Sequence, residues 1–315
     1  MNALDGHNHF CVSSEVLFIL ARKMMLVINP NAGKGQYKSS LAEVLNVFAS
    51  ADIVSSVYFT KYPGHAAELI KENSSEYDLI ACIGGDGTLS EVAGAVVQLD
   101  EKKPIGYIPM GTANDVARTL GLDSKQPVLS AKRIVEGRAI DYDIGLFGTD
   151  KYFAYISAFG AFTEVSYATP QELKQTLGHT AYMLEAIKQL TKLSGTRAII
   201  EYDDGVIRDE FIFGAITNST SVAGLLHIDS ERVSLSDGLF EVFLIRMPQA
   251  IKDVNEIITS ILSNNYDQNN VVFLKSKEVR IMFEEPVSWT RDGEDGGKHQ
   301  DVYIVNCHKG VQIIC

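Results

Sequence analysis

The stretch "YDLIACIGGDGTLSEVAGAV", residues 77–96, sets the reading of the whole chain. Its apolar run from Leu79 to Ile83 marks a strand buried on both faces, as in a parallel sheet. Leu89, Val92, Ala93 and Val96 then recur at helical spacing and predict a helix with one apolar face. Between the two lies a turn with almost no side-chain bulk, one carboxylate and one hydroxyl. Such a turn admits close approach to its main chain.

The same rhythm extends in both directions. "MMLVINP" (24–30), "IVSSVYF" (53–59) and "PIGYIP" (104–109) predict further strands. Leu41, Val44, Leu45 and Phe48 form one face of a helix, with Ser40 and Glu43 spaced as a capping box. "HAAELIKE" follows Pro63-Gly64 as a second helix, and "NDVARTL" is a short one stopped by Gly121. Strands alternating with helices predict an α/β domain over residues 23–138, its parallel sheet covered on both faces.

After Ala139 the rhythm changes. "IDYDIGLF", "YFAYISAF", "RAIIEY", "EFIFGAITN", "LFEVFLI", "VVFLK" and "EVRIMFE" are short segments rich in Ile, Val, Phe and Tyr. They predict an all-β sandwich over residues 139–315, whose C-terminal tail is free to return to the first domain. One inserted helix is expected, with Met183, Leu184, Ile187 and Leu190 as its stripe. Residues 1–22 read as a disordered extension, since "VLFIL" is too short for a signal core and His7 and His9 stand in a polar leader.

Composition narrows the function classes. Among 315 residues, 40 acids outweigh 28 bases for a formal charge of −12, which disfavours a nucleic-acid partner or a polybasic membrane anchor. Cys11, Cys82, Cys307 and Cys315 show no paired spacing, so a zinc or disulfide framework is not expected and a reducing cytoplasm is. No apolar run approaches the ~18 residues that span a bilayer.

Three glycine-rich turns each follow a strand: "NPNAGKG" (29–35), "GGDGT" (84–88) and "PMGTAND" (109–115). In a parallel sheet these gather at the carboxyl ends of the strands, where ligands bind, and together they outline a site for nucleotide phosphates. They match neither common device. "GKGQYKSS" lacks the glycine before Lys38 that a Walker loop needs, and Lys38 stands where a dinucleotide fingerprint has its third glycine.

"GGDGTLSE" followed by "PMGTANDVAR" resembles the diacylglycerol kinase catalytic family, whose lipid kinases include soluble bacterial enzymes. The likeness runs on through "FGAFTEVSYATPQ", "LGHTAYMLEAIKQL", "TNSTSVAG", "LSDGLFEV" and "WTRDGE", nearly all of the chain from Lys23. NAD kinases and phosphofructokinases share the first motif more distantly, and their fold is the one implied for the first domain. The chain departs from many relatives at Ser90, where they carry Asn, and at Ser221–Gly224, where they carry a glycine cluster bordering the acceptor pocket.

The resemblance implies an ATP-dependent kinase that phosphorylates a lipid alcohol, with diacylglycerol the foremost acceptor and a sphingoid base another. It implies ATP contacts at Asn29, Pro30, Asn31, Ala32, Gly33, Thr60, Gly84, Gly85, Asp86, Gly87, Thr88 and Thr112. Asp86 would stand beside the phosphates and their metal; alternatively, a short acid in a tight turn bonds main-chain N–H groups. Glu294 matches the family's general base, although "RDGED" also reads as a solvated hairpin loop. Asp237, with the carbonyls of Ser234 and Leu239, matches a structural Mg²⁺ site distinct from the Mg²⁺ carried by ATP, and equally an Asp-Gly turn. Asn114 and Asp115 read as helix caps, with Arg118 facing the cleft or paired to Asp115; His65 and His179 read as helix residues. A homodimer and a transient contact with a membrane surface complete the implied picture. The alternatives are a kinase of a soluble acceptor, such as NAD or a sugar phosphate, and a non-catalytic nucleotide-binding regulator.

Overall fold

A computed structural model describes residues 21–112, 114–160, 195–222, 226–228, 233–266 and 269–315. The expected stripe of Met183, Leu184, Ile187 and Leu190, together with His179, His7 and His9, falls outside the described residues. The chain opens with β1 (Arg22–Ile28), α1 (Leu41–Ala49), β2 (Ile53–Phe59), α2 (His65–Asn73), β3 (Leu79–Gly84), α3 (Asp86–Val96) and β4 (Ile105–Pro109). These strands are parallel in the order β4-β3-β1-β2.

The continuous apolar runs follow from burial on both faces. Met24, Leu26 and Ile28 of β1 join the cluster that holds Val44 and Phe48 of α1 and Ala131 and Ile134 of α5 (Pro127–Glu136). Met25 and Val27 turn the other way, to Ala66 and Ile70 of α2 and Leu89, Val92 and Val96 of α3. Cys82 of β3 is fully buried there, and burial pushes its thiol up to about 12, so it serves as a small apolar side chain. The expected capping box at Ser40 does not form. A 3₁₀ segment, Ala32–Ser39, runs straight into α1, leaving Ser40 in helical backbone with its hydroxyl turned back toward the Tyr37 carbonyl.

After the short α4 (Asp115–Thr119) and α5 come β5 (Ala139–Phe147), β6 (Lys151–Phe153), β7 (Ile156–Gly160), β8 (Thr196–Tyr202), β9 (Gly205–Thr217), β10 (Ser221–Val222) and β11 (Leu226–His227). They are followed by β12 (Phe240–Arg246), α6 (Ile251–Ser263), β13 (Val271–Ser276), β14 (Glu278–Arg291) and β15 (Glu294–Ile314). This half is sheet-rich, but it does not divide into the two separate sheets of a sandwich. Strand β9 pairs with β8 at its start and with β7 at its end, while β14 pairs with β8 and then with β7, so the four close a ring. Strands of 13 and 14 residues are long enough to bend through both layers. Phe159, Phe283 and Trp289 meet inside that ring, all buried.

The two halves share one sheet. At the far end of the 21-residue β15, Ile313 and Ile314 pair in parallel with Ile105 and Gly106 of β4. The opposite end of β15 begins at Glu294, next to the turns of the first half.

Candidate active site

Strands β1, β3 and β4 deliver the three glycine-rich turns to one edge of the sheet. Main-chain bonds hold them in register: the Asn29 amide donates to the Ile83 carbonyl (3.0 Å), that of Met110 to Gly84 (2.7 Å) and that of Thr60 to Ile28 (2.9 Å). Part of the glycine content serves turn-on-turn packing. A β-carbon on Gly111 would stand 2.5 Å from the Gly85 α-carbon, and one on Gly33, at φ +55°, would stand 2.3 Å from the Met110 carbonyl oxygen. Gly33 alone among the proposed nucleotide-contacting glycines has a positive φ; Gly84, Gly85 and Gly87 are needed for close approach.

Asp86 faces the protein. Its carboxylate is buried and accepts the amides of Asp115 (2.9 Å) and Val116 (3.1 Å), the first N–H groups of α4. It therefore clamps the third turn to the second, the main-chain reading of a short acid in a tight turn. Burial drives its carboxyl up to about 7, against the pull of the two N–H donors. Asn114, at φ +51°, does not cap α4 but closes its own loop through both polar atoms onto Gly111. Arg118 pairs with Asp115 at 2.7 Å.

Two adjoining hollows lie outside this clamp. The smaller, about 170 Å³, is lined by Asn29, Asn31, Thr60, Gly87, Thr88, Glu91 and Glu294, among others. The larger, about 440 Å³, shares Gly87, Glu91 and Glu294 and adds Ser90, Tyr152, Arg291 and Asp292. Glu294 thus stands at the wall between them, exposed to solvent and against α3: its Oε1 lies 2.6 Å from where a β-carbon on Gly87 would be. Asn29 is preset by accepting the Asn31 amide and donating to the Thr88 hydroxyl, both at 3.0 Å. Gly84, Gly85, Asp86, Pro30, Ala32, Gly33 and Thr112 line neither hollow.

A model of the diacylglycerol kinase catalytic domain matches residues 23–147. The diacylglycerol kinase of Bacillus subtilis is 30% identical over 294 residues, covering 93% of this chain and 96% of its own. The chain belongs to the diacylglycerol kinase family. That of Staphylococcus carnosus is 30% identical over 308 residues, 94% of this chain and 99% of its own. A crystal structure of a diacylglycerol kinase from Bacillus anthracis superposes with a TM-score of 0.71 at 23% identity, covering 93% and 96% of the two chains. With that membership the chain is an enzyme, a lipid kinase.

Several site residues of this kinase escape motif reading. Glu91 accepts the amides of Gly64 (2.8 Å) and Ala66 (3.2 Å), so α3 caps α2 and fixes the loop after Thr60. Burial raises its carboxyl, against those two N–H bonds. Asp292 is buried rather than solvated and accepts the amides of Ala154, Tyr155 and Ile156 at 2.6, 2.9 and 3.0 Å. Burial pushes its carboxyl up also, opposed by the Ser90 hydroxyl and these amides. The available signal was Ser90-Glu91, a polar pair between Leu89 and Val92 of the apolar stripe of α3.

The residues expected to hold a structural Mg²⁺ stand apart from both hollows. Asp237 Oδ1 accepts the Leu239 amide at 3.1 Å, and Oδ2 binds the Lys275 ammonium at 3.1 Å. Lys275 also reaches the fully buried Glu241, 3.2 Å away on the neighbouring strand. The Lys275 ammonium thus occupies one oxygen of the carboxylate that would ligate the metal. The Asp-Gly turn is held instead by buried Asp143, which accepts the amides of Gly238 (2.7 Å) and Lys309 (2.6 Å).

Proposed function

We propose that this chain transfers the γ-phosphoryl group of Mg·ATP to the hydroxyl of a lipid alcohol, with diacylglycerol the acceptor and phosphatidic acid the product. The observation that carries this reading is Glu294 at the wall between two hollows, one of them built from the glycine-rich turns. The polyphosphate lies in the smaller hollow, met by Asn29, Asn31, Thr60 and Thr88 and by the N-terminal amides of the 11-residue α3. The acceptor hydroxyl enters from the larger one. As its oxygen forms a bond to the γ-phosphorus, the bond to the ADP oxygen breaks, and Glu294 takes the hydroxyl proton. Mg²⁺ arriving with ATP neutralises phosphate charge during transfer.

Asp86 acts in this scheme without touching the reacting atoms: it holds the turn ahead of α4 against the start of α3. No helix among the described residues is long and apolar enough to cross a membrane, and the acceptor is reached by reversible contact with a bilayer surface. Use of ATP places the reaction on the cytoplasmic side. The test is transfer of labelled phosphate from ATP to diacylglycerol, a sphingoid base and other lipid alcohols in mixed micelles, beside NAD. Lipid-dependent transfer greatest with diacylglycerol supports the reading; transfer to NAD with none to any lipid overturns it.

A further inference from the structure

Asp292 occupies the two-residue turn between β14 and β15 with φ +48°, the left-handed backbone that an Asp-Gly hairpin favours. An acid in a surface hairpin has no reason to be buried, and burying it without partners is costly. Here it is 7% exposed and accepts three successive amides, those of Ala154, Tyr155 and Ile156, while its own amide donates to the Ile156 carbonyl at 2.9 Å. The Ser90 hydroxyl donates to the Tyr152 carbonyl at 3.5 Å, at the edge of the same β6–β7 connection. Ser90 lies on α3, three residues after the Gly87 against which Glu294 rests. Adjacent in the turn, Arg291 donates to the Tyr152 carbonyl at 3.4 Å.

The turn is therefore pinned to the β6–β7 connection, and the Tyr152 carbonyl at its edge receives both Arg291 of the hairpin and Ser90 of α3. Only Gly293, at φ +83°, separates that pinned point from Glu294. We propose that Asp292 is a positioning residue for phosphoryl transfer: it fixes the tip of the hairpin on the β6–β7 connection so that the Glu294 carboxylate meets α3, and Ser90 ties that connection to α3 through the Tyr152 carbonyl. This rests on the lipid-kinase reading above. The placement of the base is then set by the bonds that join hairpin and helix through the β6–β7 connection. Chain entropy otherwise allows an exposed glutamate next to a glycine many orientations.

The experiment compares Asp292→Asn, Ser90→Ala and Glu294→Gln in the full chain, with the double variants that combine each of the first two with Glu294→Gln. The readouts are kcat with a lipid alcohol, affinity for Mg·ATP, melting temperature, and amide hydrogen exchange over residues 293–297. Asp292→Asn is expected to lower kcat about 100-fold and Ser90→Ala about fivefold, with nucleotide affinity held within about threefold. Adding either to Glu294→Gln should change the remaining rate less than about twofold, because the misplaced group is already gone. Faster exchange at residues 293–297 in both single variants is expected as well.

A purely structural role predicts the opposite pattern, with kcat tracking melting temperature and effects additive with Glu294→Gln; that pattern, or unchanged kcat and exchange in Ser90→Ala, overturns the proposal. Should Asp292→Asn fail to fold, Ser90→Ala decides. A wild-type enzyme that phosphorylates no lipid alcohol overturns the functional reading instead, and the exchange measurement still judges the pinning.

Discussion

Glu294 Oε1 lies 2.6 Å from the position that a β-carbon on Gly87 would occupy. The first residue of the last strand and the second residue of α3, 207 positions apart in the chain, thus meet with no room for a methyl group unless the Glu294 carboxylate moves. That contact ties the glycine-rich turn to the base proposed to serve it.

Gly87→Ala follows directly. The backbone at Gly87 is ordinary helix, where alanine is favoured over glycine by about 1 kcal/mol, so the variant should melt no lower than wild type. Its methyl group displaces Glu294, and kcat should fall at least about tenfold. Parallel melting curves and initial rates check both halves of the statement.

Asp86 makes stability depend on pH in a stated direction. Its carboxyl is raised to about 7 in the fold. Unfolded, it titrates near the ordinary value of about 3.9. Between these values the folded chain holds a proton that the unfolded chain has released, so stability falls as pH rises from about 4 to 7 and levels off above. The upper bound on this change is about 4 kcal/mol. Denaturation curves of the nucleotide-free protein should show the decline, and Asp86→Asn should flatten it relative to wild type.

Much of the first half is legible in sequence because burial on both faces leaves uninterrupted apolar strands, and 3.6-residue periodicity marks the covering helices. The last strand is not. Along β15, "GGKHQD" carries little apolar signal, and Pro286 interrupts the apolar pattern of β14 beyond "EVRIMFE", so neither strand is marked over its full length. The partner exchange along β9 and β14 that closes the ring depends on which strand lies beside which, and no local pattern records that. At the site, the turns announced themselves, whereas the inward aim of Asp86 and the burial of Asp292 arise from amides 29 and 138 residues distant.

Lys275 is the cation of the Asp237–Glu241 cluster. Lys275→Met leaves a fully buried carboxylate unpaired and should cost about 2–3 kcal/mol, whereas Lys275→Met with Glu241→Leu should recover most of it. Magnesium ions without nucleotide should leave the wild-type melting temperature unchanged. Chemical denaturation of the three proteins, and melting with and without Mg²⁺, decide both points.

In the proposed reaction Glu294 takes the proton from the attacking lipid hydroxyl. Single-turnover transfer from bound Mg·ATP to diacylglycerol, compared between wild type and Glu294→Gln, isolates that step. The transfer rate should fall by about 10²–10⁴ in the variant, with nucleotide affinity within about threefold. A variant that transfers phosphate at nearly the wild-type rate would contradict it.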